Sequence, residues 1–225
     1  SLFTYAAGTT LNYADAQHVK LGTTIGNIGI EGISYDPLTS GATPGFIAVK
    51  EKSPMGIFQT NIDFANGTAT NGSATTVNST NLFDPNTTGL LDIADVYALS
   101  NISGIGAADQ GSLLLLSQES GKVLKVDRNG NILGSLTIPL LTTTPLGTTV
   151  LAAGTGISVA DQQHEGMTMD DAGNLYIVSE NGGGDINNPQ LWVYAPVPEP
   201  DAYALFLAGL GGIGAIARRR PRRPA

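Results

Sequence analysis

Glu31, Asp92 or Asp95, and Glu165 stand where three similar stretches of the chain begin. Carboxylates gathered out of water repel one another unless a cation or hydrogen bonds offset them. A hard cation such as Ca²⁺ takes roughly 6–8 oxygen ligands, carboxylates among them. The sharpest chemistry in the sequence is therefore a Ca²⁺ site built from Glu31, Asp92, Asp95 and Glu165. The plainer reading ranks ahead of it: each acid accepts backbone hydrogen bonds and orders neighbouring sheets, since structural networks also collect acids.

Other reactive groups are few. Glu51, Glu119 and Glu180 recur in register, which points to a shared structural role, and Lys50 and Lys52 flank Glu51 as ion-pair partners of small net value. The segment Glu180-Asn-Gly-Gly-Gly-Asp-Ile-Asn-Asn188 is polar enough to wrap a cation but lacks EF-hand spacing, so an ordinary connection is preferred. The two histidines, His18 and His164, cannot make a three-His zinc site. His164 precedes Glu165 and could serve as a base beside a metal-bound water, yet alternation turns it away from that acid toward packing or a rim. No G-x-S-x-G elbow, P-loop or H-E-x-x-H motif occurs. Trp192 and Tyr194 alternate along a strand, which suits a core better than a sugar platform.

These acids need a scaffold, and the sequence repeats one. Ile30-Glu-Gly-Ile-Ser-Tyr-Asp36 precedes Phe46-Ile-Ala-Val-Lys-Glu51 and Gly56-Ile-Phe-Gln-Thr60. His164-Glu-Gly-Met-Thr-Met-Asp170 precedes Leu175-Tyr-Ile-Val-Ser-Glu180 and Gln190-Leu-Trp-Val-Tyr194. A degenerate middle unit runs from Asp92 through Leu114-Leu-Leu-Ser-Gln-Glu119 to Lys122-Val-Leu-Lys-Val-Asp127, with a fourth strand over Ile132–Ile138. Each unit reads as short strands joined by turns. The stretches Asp127-Arg-Asn-Gly-Asn131 and Asp170-Asp-Ala-Gly-Asn174 are rich in residues that tolerate left-handed backbone. Repeated three- or four-stranded units that cannot bury both faces alone are the mark of a β-propeller. Their first strands would line a channel, with Glu31, Glu165 and Asp92 or Asp95 facing one axis. Polar inserts over residues 65–81 and 141–156 predict long loops or extra hairpins. Ser1-Leu-Phe-Thr-Tyr5 resembles the last strand of a unit. The expected fold is all-β: a partial propeller, an open arc of about three to four blades over residues 1–195, followed by a C-terminal hydrophobic helix in a segment spanning 196–225.

Composition agrees with this scaffold. Among 225 residues there are 29 glycines, 41% hydrophobic and 13% charged residues, a balance that favours many turns around a buried core. Before Val197 seventeen acids face six bases, leaving that region at −11. Such a body lacks the cations that nucleic-acid binding requires and can attract metal cations instead. The absence of cysteine excludes disulfides, thiolate metal sites and a Cys nucleophile. Asn66, Asn71, Asn78, Asn86 and Asn101 stand in N-x-S/T patterns that reflect polar loops.

The end of the chain reads Val197-Pro198-Glu199-Pro200, an uncharged apolar run over 202–217, and five arginines, Arg218, Arg219, Arg220, Arg222 and Arg223. As a helix the run would span about 24 Å, short of a ~30 Å hydrocarbon core. Arginines after it would hold that end in the cytoplasm and leave the body outside the inner membrane. Gly209-Leu-Gly211-Gly-Ile-Gly214 satisfies G-x-G-x-x-G, but only 11 residues follow and none is acidic, so small residues of a membrane segment explain it better. The ordered trio of Val-Pro-Glu-Pro, apolar run and basic end resembles the PEP-CTERM sorting signal. That resemblance implies export in a Gram-negative bacterium, transient anchoring in the inner membrane through 202–217, and removal of the tail by an exosortase-type enzyme.

The repeats resemble the SdiA-regulated family of β-propeller proteins, whose units open on acid-Gly-Leu/Ile-x-Tyr/x-Asp and continue into an apolar strand ending in an acid. Glu31-Gly-Ile-Ser-Tyr-Asp36 and Glu165-Gly-Met-Thr-Met-Asp170 fit this opening, whereas the middle unit has Ala94 or Asp95 where the small or acidic residue stands. The resemblance implies the C-terminal part of a larger propeller and defines no activity. The expected role is a non-enzymatic binding or matrix protein with an unidentified ligand, sent to the cell surface or extracellular matrix. The alternative is a Ca²⁺-dependent propeller hydrolase of esterase, lactonase or phytase type, in which the metal polarises substrate oxygen.

Overall fold

The computed structural model describes residues 6–19, 29–70, 81–138, 141–144, 147–150, 163–179 and 190–196. The expected strand at Ser1–Tyr5, the loop from Glu180 to Asn188, the apolar run 202–217 and the motif residues Val197, Pro198, Glu199, Pro200, Arg218, Arg219 and Arg220 lie outside them. The chain divides into a unit of residues Ser1–Tyr194 and a unit of residues Ala195–Ala225.

The described residues are all-β. A first antiparallel meander holds β1 (Ile30–Tyr35), β2 (Gly45–Lys50), β3 (Gly56–Asp63) and β4 (Thr68–Thr70) in that order. The middle meander holds β5 (Asp95–Ala98), β6 (Leu113–Ser117), β7 (Lys122–Val126) and β8 (Ile132–Thr137). A two-stranded hairpin pairs β9 (Leu141–Thr144) with β10 (Gly147–Val150), and a third sheet orders β11 (His164–Met169), β12 (Leu175–Ser179) and β13 (Gln190–Tyr194). The polar inserts thus carry short strands: β4 extends the first sheet, and β9–β10 is an extra hairpin. None of these sheets closes into a barrel. The opening strands lie together, with β5 packed against both β1 and β11, an arrangement consistent with part of a propeller.

The run Leu113–Leu116 shows why the middle sheet sits where it does. Four consecutive leucines can be buried only in a strand covered on both faces. Alternation sends Leu113 and Leu115 into a cluster with Ile47, Val49 and Ile57 of the first sheet. Leu114 and Leu116 join Met167, Leu175 and Ile177 of the third sheet in a second cluster. The three sheets are therefore stacked, and the middle one forms two seams.

The two Asp-x-x-Gly-Asn stretches fold into the same turn. Asp127 accepts from the backbone N–H groups of Asn129 and Asn131 and from Asn131 Nδ2; Asp170 does likewise with Ala172 and Asn174. These hydrogen bonds hold both carboxyl groups below the usual carboxylate range despite a small opposing desolvation. Gly130 and Gly173 take φ of +85° and +83°, a left-handed backbone that a side chain disfavours.

Candidate functional site

The two Glu-Gly openings form β-bulges. The β1–β2 register shifts between Ile30 and Gly32, and the β11–β12 register shifts between His164 and Gly166. One extra residue is thereby set out of the ladder and the alternation breaks there. Glu31 and Glu165 are both exposed. Among the described residues no three His, Asp or Glu come together in a group able to hold a metal ion. Asp92 is fully buried, where its Oδ1 accepts from Ser117 Oγ and from the Glu119 N–H at 3.0 Å. Burial pushes its carboxyl up, against those two hydrogen bonds.

Asp95 is the acid that joins sheets. Opposite Leu116, it holds the register position that Ile33 holds opposite Ala48 and Met167 opposite Ile177. The middle unit thus places a carboxylate where its neighbours place an apolar side chain, with Ala94 in the register of Gly32 and Gly166. Oδ1 accepts from the Val96 N–H at 2.8 Å and Oδ2 from the Met167 N–H at 2.7 Å, across to the third sheet. A Cβ on Gly32 would fall 2.4 Å from Asp95 Oδ1 and 2.8 Å from its Cα, so that glycine lets β1 approach β5. Desolvation pushes the Asp95 carboxyl up to about 6, opposed by its two backbone hydrogen bonds. None of the ion pairs among the described residues involves it.

The seam between the first and middle sheets treats its buried acid differently. Asp36 is fully buried, but Arg128 Nη2 donates to its Oδ1 at 2.9 Å and Nη1 lies 2.9 Å from Oδ2. Ser100 Oγ and Thr39 Oγ1 also donate to it, at 2.7 and 2.8 Å. Burial raises the Asp36 pKa, yet Arg128 and the two hydroxyls outweigh burial and hold it below the ordinary carboxylate value. At the other end of the strands, Lys52 lies 3.1 Å from Glu51 and 2.5 Å from Glu119, tying two of the register-repeating glutamates together.

The seam with the third sheet carries polar atoms without partners. His164 is fully buried, and its Nδ1 and Nε2, Ser179 Oγ, Trp192 Nε1 and Tyr194 OH lack a hydrogen bond among the described residues. His164 stands opposite Ser179, and its ring meets Trp192 edge-on at 6.2 Å. Burial lowers the imidazole pKa to about 4. Trp192 and Tyr194 stack on each other and pack on the second cluster, as alternation predicts for a core pair.

The opposite face of the third sheet is open. Val178, Leu191 and Val193 are 47%, 63% and 56% exposed. Beside them Asp95, Gly166, Thr168, Tyr176, Val178 and Leu191 line a predominantly apolar cleft of about 450 Å³. That volume lies within the ~300–1,000 Å³ usual for small-molecule sites. Sequence reasoning singled out Asp95 but missed the cleft, Asp36 and Arg128. The alternation of Tyr176 with Val178 and of Leu191 with Val193 was the available signal of an apolar outer face.

Two family models match the chain. One described as SdiA-regulated covers residues 2–182, and one described as the PEP-CTERM protein-sorting motif covers residues 196–223.

Proposed function

Because the chain belongs to the SdiA-regulated family and ends in a PEP-CTERM sorting motif that marks export, exosortase processing and sorting to the cell surface, we propose that it is a non-enzymatic binding protein of the envelope or extracellular matrix. The apolar run 202–217 holds the precursor in the inner membrane, with the arginine-rich end in the cytoplasm. Processing then frees the acidic all-β body. The observation that carries a binding role is the apolar cleft on the outer face of the third sheet, with one carboxylate, Asp95, among the described residues of its wall.

Delivery is tested by expressing the full chain in an exosortase-bearing host and measuring the intact mass and fraction of the product. The mature body is expected at the surface without its C-terminal segment. A Pro198→Ala, Glu199→Ala variant is expected to stay in the membrane fraction with the segment attached. Equal mass and location for the two would sink the sorting step.

A further inference from the structure

We propose that the cleft on the third sheet takes small amphiphilic cations, an alkylammonium being the simplest, with the charged head on Asp95 and the alkyl part against Tyr176, Val178 and Leu191. The inference rests on the binding role proposed above and names the chemical class of its ligand. Three observations combine. The cleft of about 450 Å³ is lined mainly by apolar groups, so the body of the ligand gains by leaving water. Among the described residues of that lining Asp95 is the acid, and none of the ion pairs among the described residues neutralises it. Each of its oxygens accepts one backbone hydrogen bond, from Val96 or Met167. A carboxylate oxygen has capacity for a second, which an ammonium can fill. A carboxylate half removed from water, already oriented and with no cation among the described residues beside it, discriminates by charge more sharply than an exposed one. The surplus of acids before Val197, seventeen against six bases, further draws cations and repels anions.

The competing occupants separate by experiment. The full chain is titrated with n-hexylammonium, 1-hexanol and hexanoate, read by calorimetry and by backbone amide shifts of Met167, Val178 and Leu191. Hexylammonium is expected to bind tightest, hexanol more weakly and hexanoate weakest. Asp95→Asn is expected to weaken hexylammonium about tenfold or more, the loss of one hydrogen bond to a charged group, and to leave hexanol within about twofold. Leu191→Trp, which fills the cleft and leaves the Asp95 carboxyl in place, should weaken all three. If hexanol binds as tightly as hexylammonium, the cation class is wrong and the cleft reading stands. If none of the three binds or shifts those amides, the cleft reading itself fails.

Discussion

The middle sheet makes two seams, and they are built on opposite electrostatic principles. Against the first sheet it buries a carboxylate, Asp36, together with its cation Arg128 and two hydroxyl donors. Against the third sheet it buries Asp95 with backbone N–H groups alone, and leaves His164, Ser179, Trp192 and Tyr194 with polar atoms unsatisfied. The apolar layers differ less: both clusters draw on alternate faces of Leu113–Leu116. Apolar burial stabilises both seams; buried polar atoms without a hydrogen bond include Arg128 Nε in the first, but more of them fall in the second and subtract more there. The first seam is expected to be the stiffer one, and the third sheet the part that opens first.

The largest test removes the cation. Arg128→Met strands a fully buried Asp36 and is expected to cost about 3–5 kcal/mol, read as a lower urea midpoint. In the other seam Tyr97→Phe deletes the hydrogen bond from the Tyr97 hydroxyl to the Met169 carbonyl, 3.1 Å, at about 1 kcal/mol. Equal costs would erase the contrast.

Acid distinguishes the seams next. The folded state holds His164 neutral down to about 4, whereas an unfolded histidine takes its proton near 6.5. Unfolded chains therefore bind more protons between those values, and stability falls as pH drops from about 6.5 to 4, by roughly 3 kcal/mol in all. Asp95 opposes this. Its pKa is raised to about 6, so its contribution is lost as pH rises from the ordinary carboxylate value to about 6, reduced by the solvent it still meets. Asp36 acts lower: its pKa is depressed, and its stabilisation is lost only as pH falls below the ordinary carboxylate range. In an Asp95→Asn background, the protection factors of β11–β13, referred to the unstructured-peptide exchange rate at each pH, are expected to fall from pH 6.5 to 4 while those of β1–β3 hold. A His164→Leu substitution in that background should flatten the response. Simultaneous loss of protection in both sheets would contradict the order of opening.

Gly32 probes the point where the opening strands meet. Its added Cβ would strike Asp95 backbone and side chain at 2.8 and 2.4 Å, so Gly32→Ala is expected to cost about 1–3 kcal/mol by overpacking. Gly134→Ala in β8 would place its Cβ 4.0 Å from Lys125 Cβ and should stay within about 0.5 kcal/mol. Thermal melts of the two variants compare them directly.

Much of the scaffold was legible because alternation and turn chemistry are local. The strand over Ile132–Ile138, the Asp-x-x-Gly-Asn turns and the two-faced leucine run all follow from residues within a few positions of one another. The site was less legible because bulges and seams are not local. At Glu31 and at Glu165 one extra residue per strand shifts the register, and alternation along the sequence does not announce it. Asp36 and Arg128 lie 92 residues apart and carry no shared motif. Asp95 was visible as a departure from the repeat, but its partner, the Met167 N–H, is a backbone group that no side-chain pattern can announce.

The smallest expected effect is the most direct measure of whether the third sheet has one covered face. Ile177 and Val178 are adjacent in β12 and point to opposite sides. Ile177 is fully buried in the second cluster, while Val178 is 47% exposed beside the cleft. Ile177→Val removes one methylene from a packed environment and is expected to cost about 0.5–1.5 kcal/mol. Val178→Thr keeps the shape and β-branching and adds a hydroxyl that water can satisfy, so its cost should lie within about 0.5 kcal/mol. Denaturant midpoints of the two variants at fixed pH make the comparison. A loss of 1 kcal/mol or more at Val178, on the order of burying a hydroxyl without a partner, would mean that this face is covered in solution. Both seams would then have the same architecture, and the third sheet would be a middle sheet too.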